Sequence, residues 1–268
     1  GKQADVLRCP HIANTYSVRQ HFMNIICDTN IWYEIGNNQF ELGNIPNENN
    51  LIAVFNSIDE FTKTSNLVKN EIYTRNAIQA MFKFSDKHAI FEPPLIHLLK
   101  LDNPKIKYDI RKMQNFIIEF TEKIANGYKI TDTLAFKEYC IERDKNFIDL
   151  TEYTNSISNK IKQNIKNIKQ HRKTESMPII RDLISKIVSY QSIKLSEDFD
   201  WTKIELLTNT LRVYFTKLET GAIKAVKNDW YDIFILAYVQ QSDKIWTKDT
   251  KLISLIKEAN MEKYLFNN

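Results

Sequence analysis

The stretch "MNIICDTNIWYEI", Met23 to Ile35, constrains the fold more than any other. A short apolar run, rich in isoleucine, reads as a buried strand. It stops on Asp28-Thr29-Asn30, and an aromatic and apolar segment of helical texture follows at once. A strand that passes straight into a helix is the unit of a parallel α/β sheet. An acid at the strand's carboxyl end lies where ligands and metals bind in such sheets. Asp, Thr and Asn are also favoured helix caps, so this junction alone leaves two roles open for Asp28.

The same texture recurs along the chain. A helix is expected over "NNLIAVFNSIDEFTK" (49–63), where Leu51, Val54, Phe55, Ile58 and Phe61 return at helical spacing. "SNLVKN" reads as a short strand leading into a helix over 70–84. "FEPPLIHLLKLDNP" (91–104) holds Pro93, Pro94 and Pro104 and is expected to be partly extended or turning. From about 105 to 218 the pattern is helical, with stripes at Phe116, Ile117, Phe120 and Ile124, at Ile157, Ile161, Ile165 and Ile168, and at Leu183, Ile184 and Ile187. Asn126-Gly127 and Met177-Pro178 are its break points. The closing segment returns to alternation, with a helix in "DWYDIFILAYVQQ", a strand in "DKIWT", a helix in "KDTKLISLIKEA" and a last strand in "KYLF".

These elements predict an α/β fold with a central parallel sheet between helices and a mostly helical insertion. The sheet domain takes 23–90 and 219–268, the insertion takes 91–218, and residues 1–22 form a tail or non-native leader with Met23 as the natural start. Only five glycines in 268 residues argue against an all-β sandwich. Cys9, Cys27 and Cys140 are odd in number and widely spaced, which excludes a disulfide framework and a zinc knuckle. Cys9, His11 and His21 have no metal-ligand spacing. With no apolar run long enough to span a bilayer and no signal-peptide core, a cytoplasmic protein without membrane attachment is expected. The net charge of +4 does not by itself announce a nucleic-acid partner.

The acids are more informative. Asp249, in "KIWTKDTKLISL", repeats the setting of Asp28 at a strand-to-helix junction. Glu71 opens the helix after "SNLVKN", and Asp229 and Asp232 share a face in the first turn of another helix. Each has a bland role at a helix N-terminus, where the dipole favours a carboxylate. Several such acids at one end of a parallel sheet are a different matter. Two carboxylates about 4 Å apart repel by roughly 4 kcal/mol at an effective dielectric of 20. Protonation or a hard divalent cation must relieve that. Such a cation activates water and stabilises both oxygens of an in-line displacement at phosphorus.

At these residues the chain resembles the PIN-domain ribonucleases. "IICDTNIW" resembles the family's opening strand and first Asp, "VKNEI" the segment with its Glu, "NDWYDIFILAYV" the helix with the next acid, and "KIWTKD" the closing strand with its Thr-x-Asp ending. The resemblance covers roughly 23–90 and 225–268 and leaves out the helical middle. It implies a three-layer α/β/α fold and an endoribonuclease that hydrolyses RNA phosphodiesters with Mg2+ or Mn2+ as cofactor. Carried over, Asp28, Glu71, Asp232 and Asp249 would be catalytic metal ligands, with Asp229 as an extra ligand. Thr247 and Asn30 would orient carboxylates or water. The alternative is a catalytically inactive nucleic-acid-binding or protein-interaction module on the same fold. RNA is the expected partner, and an inhibitor protein of the antitoxin kind is left open.

Other chemistries fit less well. A haloacid-dehalogenase-like phosphatase needs a second Asp where Asn30 stands, and a glycosidase needs only two carboxylates. No GxxxxGK[ST] loop or nucleophile elbow is present. His97 reads as packed rather than as a general base. "NKIKQNIKNIKQHRK" (159–173) sets Lys162, Lys166, Lys169 and Lys173 on one helical face, either as a solvated surface or as a rail for RNA phosphates.

Overall fold

The computed structural model describes residues 23–38, 49–85, 89–106, 111–163, 176–189 and 194–266. A parallel three-stranded sheet lies at its centre, in the order β2 (Asn49–Ile52), β1 (Met23–Cys27), β3 (Lys244–Trp246). Ile25, Ile26 and Cys27 stand opposite Lys244, Ile245 and Trp246, and Met23 to Ile26 stand opposite Asn49 to Ile52. Because successive strand residues face opposite ways, each strand supplies two cores.

Ile26, Ile52 and Ile245 point to one face. There they meet α5 (Pro94–Asp102), α8 (Ser176–Ser189), α9 (Glu205–Thr220), α10 (Lys227–Phe234) and α11 (Thr250–Glu258). Ile25, Cys27, Leu51 and Trp246 point to the other. That face is covered by α1 (Thr29–Gly36), α2 (Phe55–Phe61), α3 (Asn66–Lys69), α4 (Glu71–Ser85) and α6 (Arg111–Ala125). The segment 91–218, expected as a helical insertion, sends side chains of its described helices into the sheet's cores. Ile96, Ile184, Leu211 and Ile117 are buried in the same two cores as the sheet. The long α7 (Thr133–Gln163) packs on α9 and α10. No helix among the described residues is long and apolar enough to cross a membrane.

Three local expectations are corrected. Residues 49–63 form not one helix but β2 followed by α2. Leu51 and Ile52 satisfy a helical stripe, yet pairing with β1 lets them fill both sheet faces, and tertiary burial decides. "SNLVKN" is the single helical turn α3, packed on α4, rather than a strand. Segment 91–104 is non-helical at 91–93 and 103–104, as expected, and Pro93 and Pro94 lead into α5 between them, since proline suits the first helical turn. "KYLF" gives a 3-10 turn, Glu262–Tyr264, and one bridge from Leu265 to Ile245.

The pairing of α1 and α4 depends on Gly36. A Cβ there would collide with the Asn76 carbonyl, which is backbone and cannot swing away. Gly36→Ala is expected to push these helices apart and cost about 1–3 kcal/mol. Thermal denaturation checks this. At roughly 2–4 °C per kcal/mol for a chain of this size, Tm should fall by several degrees.

Candidate active site

The strand order creates the site. From β1 the chain moves outward to β2 and later returns on the other side as β3, so the carboxyl ends of β1 and β3 flank a topological switch point. Asp28 follows β1 directly and its backbone N–H donates to the Trp246 carbonyl at 3.0 Å, continuing the ladder. That register sets Asp28 beside Thr247, whose hydroxyl donates to Asp28 Oδ2 at 2.6 Å. Asn30 Nδ2 donates to the same oxygen at 2.8 Å, while Oδ1 accepts the Thr29 N–H at 2.7 Å and caps α1. Capping and site placement are thus compatible uses of one side chain. Thr247 Oγ1 also accepts the Asp249 N–H at 3.0 Å, and Asn30 Oδ1 accepts the Lys248 N–H at 3.2 Å. Asn30 and Thr247 fix the Asp28 carboxylate and tie β1 to the loop after β3.

Asp249 caps α11 by accepting the Leu252 N–H at 2.6 Å. Asp232 lies on α10, half-buried, and no donor among the described residues hydrogen-bonds to it. The fourth carboxylate is Glu60 of α2, which sequence reasoning missed. Its Oε2 accepts from the Thr29 hydroxyl at 2.6 Å, next to the Asp28 cap. Ser57, one turn earlier on α2, donates to the Cys27 carbonyl at 3.2 Å and seats this helix against the end of β1. The available signal was a pair of adjacent acids, Asp59 and Glu60, inside an otherwise largely apolar segment.

These carboxylates act on one another. Burial, then the negative charge of Glu60, pushes Asp28 up to about 6, against the opposing hydrogen bonds from Thr247 and Thr29 and with a further push from Asp249. Asp232 goes up to about 8, by burial first and then by Asp28, Asp249, Glu60 and Asp229. Desolvation and like charge work in the same direction here.

The other acids named from the sequence are engaged differently. Asp229 is buried, and its Oδ2 accepts from the Tyr214 hydroxyl at 2.9 Å and from the Val226 N–H at 3.0 Å. Its Oδ1 is ion-paired with Lys251. Both oxygens are occupied by donors that fix the start of α10. Glu71 is ion-paired with Arg75 one turn along α4, and Arg75 Nε donates to the Ile124 carbonyl at 3.2 Å. Glu71 is thereby directed toward the end of α6, and it is Glu60 that joins Asp28. Of the lysine stripe, Lys166, Lys169 and Lys173 lie outside the described residues, and for Lys162 only its place in α7 is described. His97 packs against Tyr238 with ring centroids 4.9 Å apart, and burial pulls it down to about 4, so it is a neutral packed ring.

The donor set of Asp28, Glu60, Asp232 and Asp249 is all oxygen and excessively negative, which suits a hard divalent cation. Among the described residues no three His, Cys, Asp or Glu side chains are already arranged about one ligand point. Asp28 is locked by its donors, whereas Glu60 and Asp249 each have one oxygen free of hydrogen bonds among the described residues, and Asp232 has both. The donor set therefore fits a hard cation in chemistry and charge, while its oxygens do not share one ligand point. No protein-family model, curated protein or solved structure matches the chain.

Proposed function

We propose that the chain is a PIN-like, metal-dependent endoribonuclease whose acid site holds Mg2+ or Mn2+. The observation that carries this reading is the mutual electrostatic stress of Asp28 and Asp232, which burial and neighbouring carboxylates push to about 6 and about 8. A fold gains no stability by gathering acids that repel one another, and strained titrations of this kind gather at functional sites. When bound, a divalent ion supplies Lewis acidity toward water and toward the oxygens of a phosphodiester. The residues contribute the rest. Asp28 presents a fixed carboxylate, because Thr247, Asn30 and the α1 N-terminus hold both its oxygens. Asp232, Asp249 and Glu60 would supply oxygens that have no hydrogen-bond partner among the described residues. Asp232 holds its own proton near neutral pH in the metal-free protein, and it would have to give that proton up to serve as a ligand. In this reading Asp229 and Glu71 are structural, since their partners already use them.

The test is cleavage of a labelled single-stranded RNA by the purified chain with Mn2+, with Mg2+ and with chelator. Cleavage that needs the cation and stops with chelator is the expected result. A protein that cleaves nothing and gains no melting temperature as Mn2+ is titrated is a silent module on this fold, because ligands of the native state must stabilise it by mass action.

A further inference from the structure

The two short helices that bring Glu60 and Asp232 to the site, α2 and α10, are joined by a partly buried ionic network with its centre on α7. Asp59, adjacent to Glu60, points away from the acid site and is ion-paired with Arg143 of α7. The same guanidinium donates to the Asp59 carbonyl at 2.7 Å and to the Thr62 hydroxyl at 2.5 Å. Arg143 thereby grips the last turn of α2 at three points. The next residue on α7, Asp144, reaches both acid-bearing helices. Its Oδ1 accepts from Lys63 Nζ, just past α2, at 3.3 Å and from the Tyr231 hydroxyl of α10 at 2.8 Å. Its Oδ2 is ion-paired with Lys227, at the start of α10. Lys63 Nζ also lies 2.9 Å from the centroid of the Tyr231 ring, and Asn56 Nδ2 of α2 donates to the Tyr231 carbonyl at 2.8 Å.

Stability is a weak explanation for this arrangement. Two carboxylates and three cations, most of them little exposed, carry a desolvation cost that well-packed apolar side chains would avoid. What such a network does well is fix register, because its geometry has one satisfied solution. Here the register in question is that of α2 against α10, and so of Glu60 against Asp232.

We propose that Arg143 and Asp144 are positioning residues of the acid site, holding α2 and α10 so that Glu60 and Asp232 can turn to one shared cation. The inference rests on the metal-site reading above. It assigns α7 to the machinery of the site, whatever RNA the chain cuts.

The test titrates Mn2+ into the full chain by calorimetry, with the melting temperature of the metal-free protein recorded in parallel. The parent is compared with Asp144→Asn and Tyr231→Phe. Asp144→Asn should weaken Mn2+ binding more than Tyr231→Phe does, because it frees Lys63, Tyr231 and Lys227 from α7 at once. Tyr231→Phe removes one hydroxyl and keeps the ring over Lys63, so a loss of several-fold is expected. Raising Mn2+ in proportion should restore RNA cleavage in both. A merely structural role would lower the metal-free melting temperature and leave the affinity of the folded protein at the parental value. That result in Tyr231→Phe overturns the inference, even if Asp144→Asn does not fold. A parent that binds no Mn2+ overturns the metal site and the positioning role together, whereas a parent that binds it beside variants that bind it equally well overturns the positioning role alone.

Discussion

Asp249→Asn is expected to reduce Mn2+-dependent RNA cleavage by about 10²- to 10³-fold, the scale of losing one preorganised electrostatic group in a site. The fold should be left intact. Asp249 spends one oxygen on the Leu252 N–H at the start of α11, and asparagine is an equally good cap, so this hydrogen bond survives the exchange. What disappears is a negative charge that acts on both Asp28 and Asp232. Asp28→Asn should abolish activity to a similar degree but is the less clean variant. Oδ2 of Asp28 accepts from both Asn30 and Thr247, and an amide nitrogen in that position would face two donors. The relief of repulsion is then offset by lost hydrogen bonds worth about 1 kcal/mol each. Steady-state cleavage in Mn2+, with melting curves of the metal-free variants, separates the two effects. Asp249→Asn cleaving RNA as fast as the parent would remove this residue from the site.

The contrast between Asp28 and Glu60 shows what the sequence makes legible. Asp28 stands out because the apolar run Ile25-Ile26-Cys27 of β1 ends abruptly on it, so the acid marks the sheet's carboxyl edge in the linear chain. Thr247 and Asp249 follow β3 in the same way, and the parallel register then brings the two junctions together. Glu60 has no such mark. It sits late in α2, and the apolar residues of 49–63 fit one long helix as well as a strand followed by a short helix. Only the pairing of β2 with β1 resolves the ambiguity, and pairing between distant segments is not written in local periodicity. Once "SNLVKN" is read as a strand, Glu71 occupies the position of a junction acid, but α3 is a helical turn and Glu71 turns to Arg75. The helices α6, α7, α8 and α9 within 105–218 were legible from apolar stripes. Their place was not, because an amphipathic helix declares that it has a buried face without declaring what covers it. Ile180, Ile184, Leu207 and Leu211 pack toward the sheet rather than forming a core of their own.

Asp28 and Asp232 are expected to cost the metal-free protein stability as pH rises from about 4 to 8, against an opposite contribution from His97 below about 6.5, and Mn2+ is expected to reverse their trend. The sign follows from proton counting. In the unfolded chain Asp28 and Asp232 ionise near the ordinary aspartate value, close to 4. In the folded chain they hold their protons up to about 6 and about 8. Between these limits the native state binds more protons than the unfolded state, so its contribution to stability falls with pH. This contribution is fully present below about 4 and is lost as pH rises through the folded values. Mn2+ binding requires the ionised carboxylates, so its affinity should climb through the same window. At 100 times the dissociation constant the ion adds about 2.7 kcal/mol, roughly 5–10 °C in Tm for a chain of this size. Melting curves at pH 5.5, 6.5, 7.5 and 8, with and without Mn2+, should therefore diverge as pH increases. Asp232→Asn should flatten the metal-free profile and raise Tm near pH 8 by about 2–4 °C per kcal/mol of repulsion removed, while much of the Mn2+ increment disappears. The substitution leaves no donor or acceptor stranded among the described residues, since none hydrogen-bonds to the Asp232 carboxylate. A Mn2+ increment that is the same at every pH, together with a variant that keeps the parent's metal-free profile, would show that Asp232 neither carries the excess proton nor meets the cation.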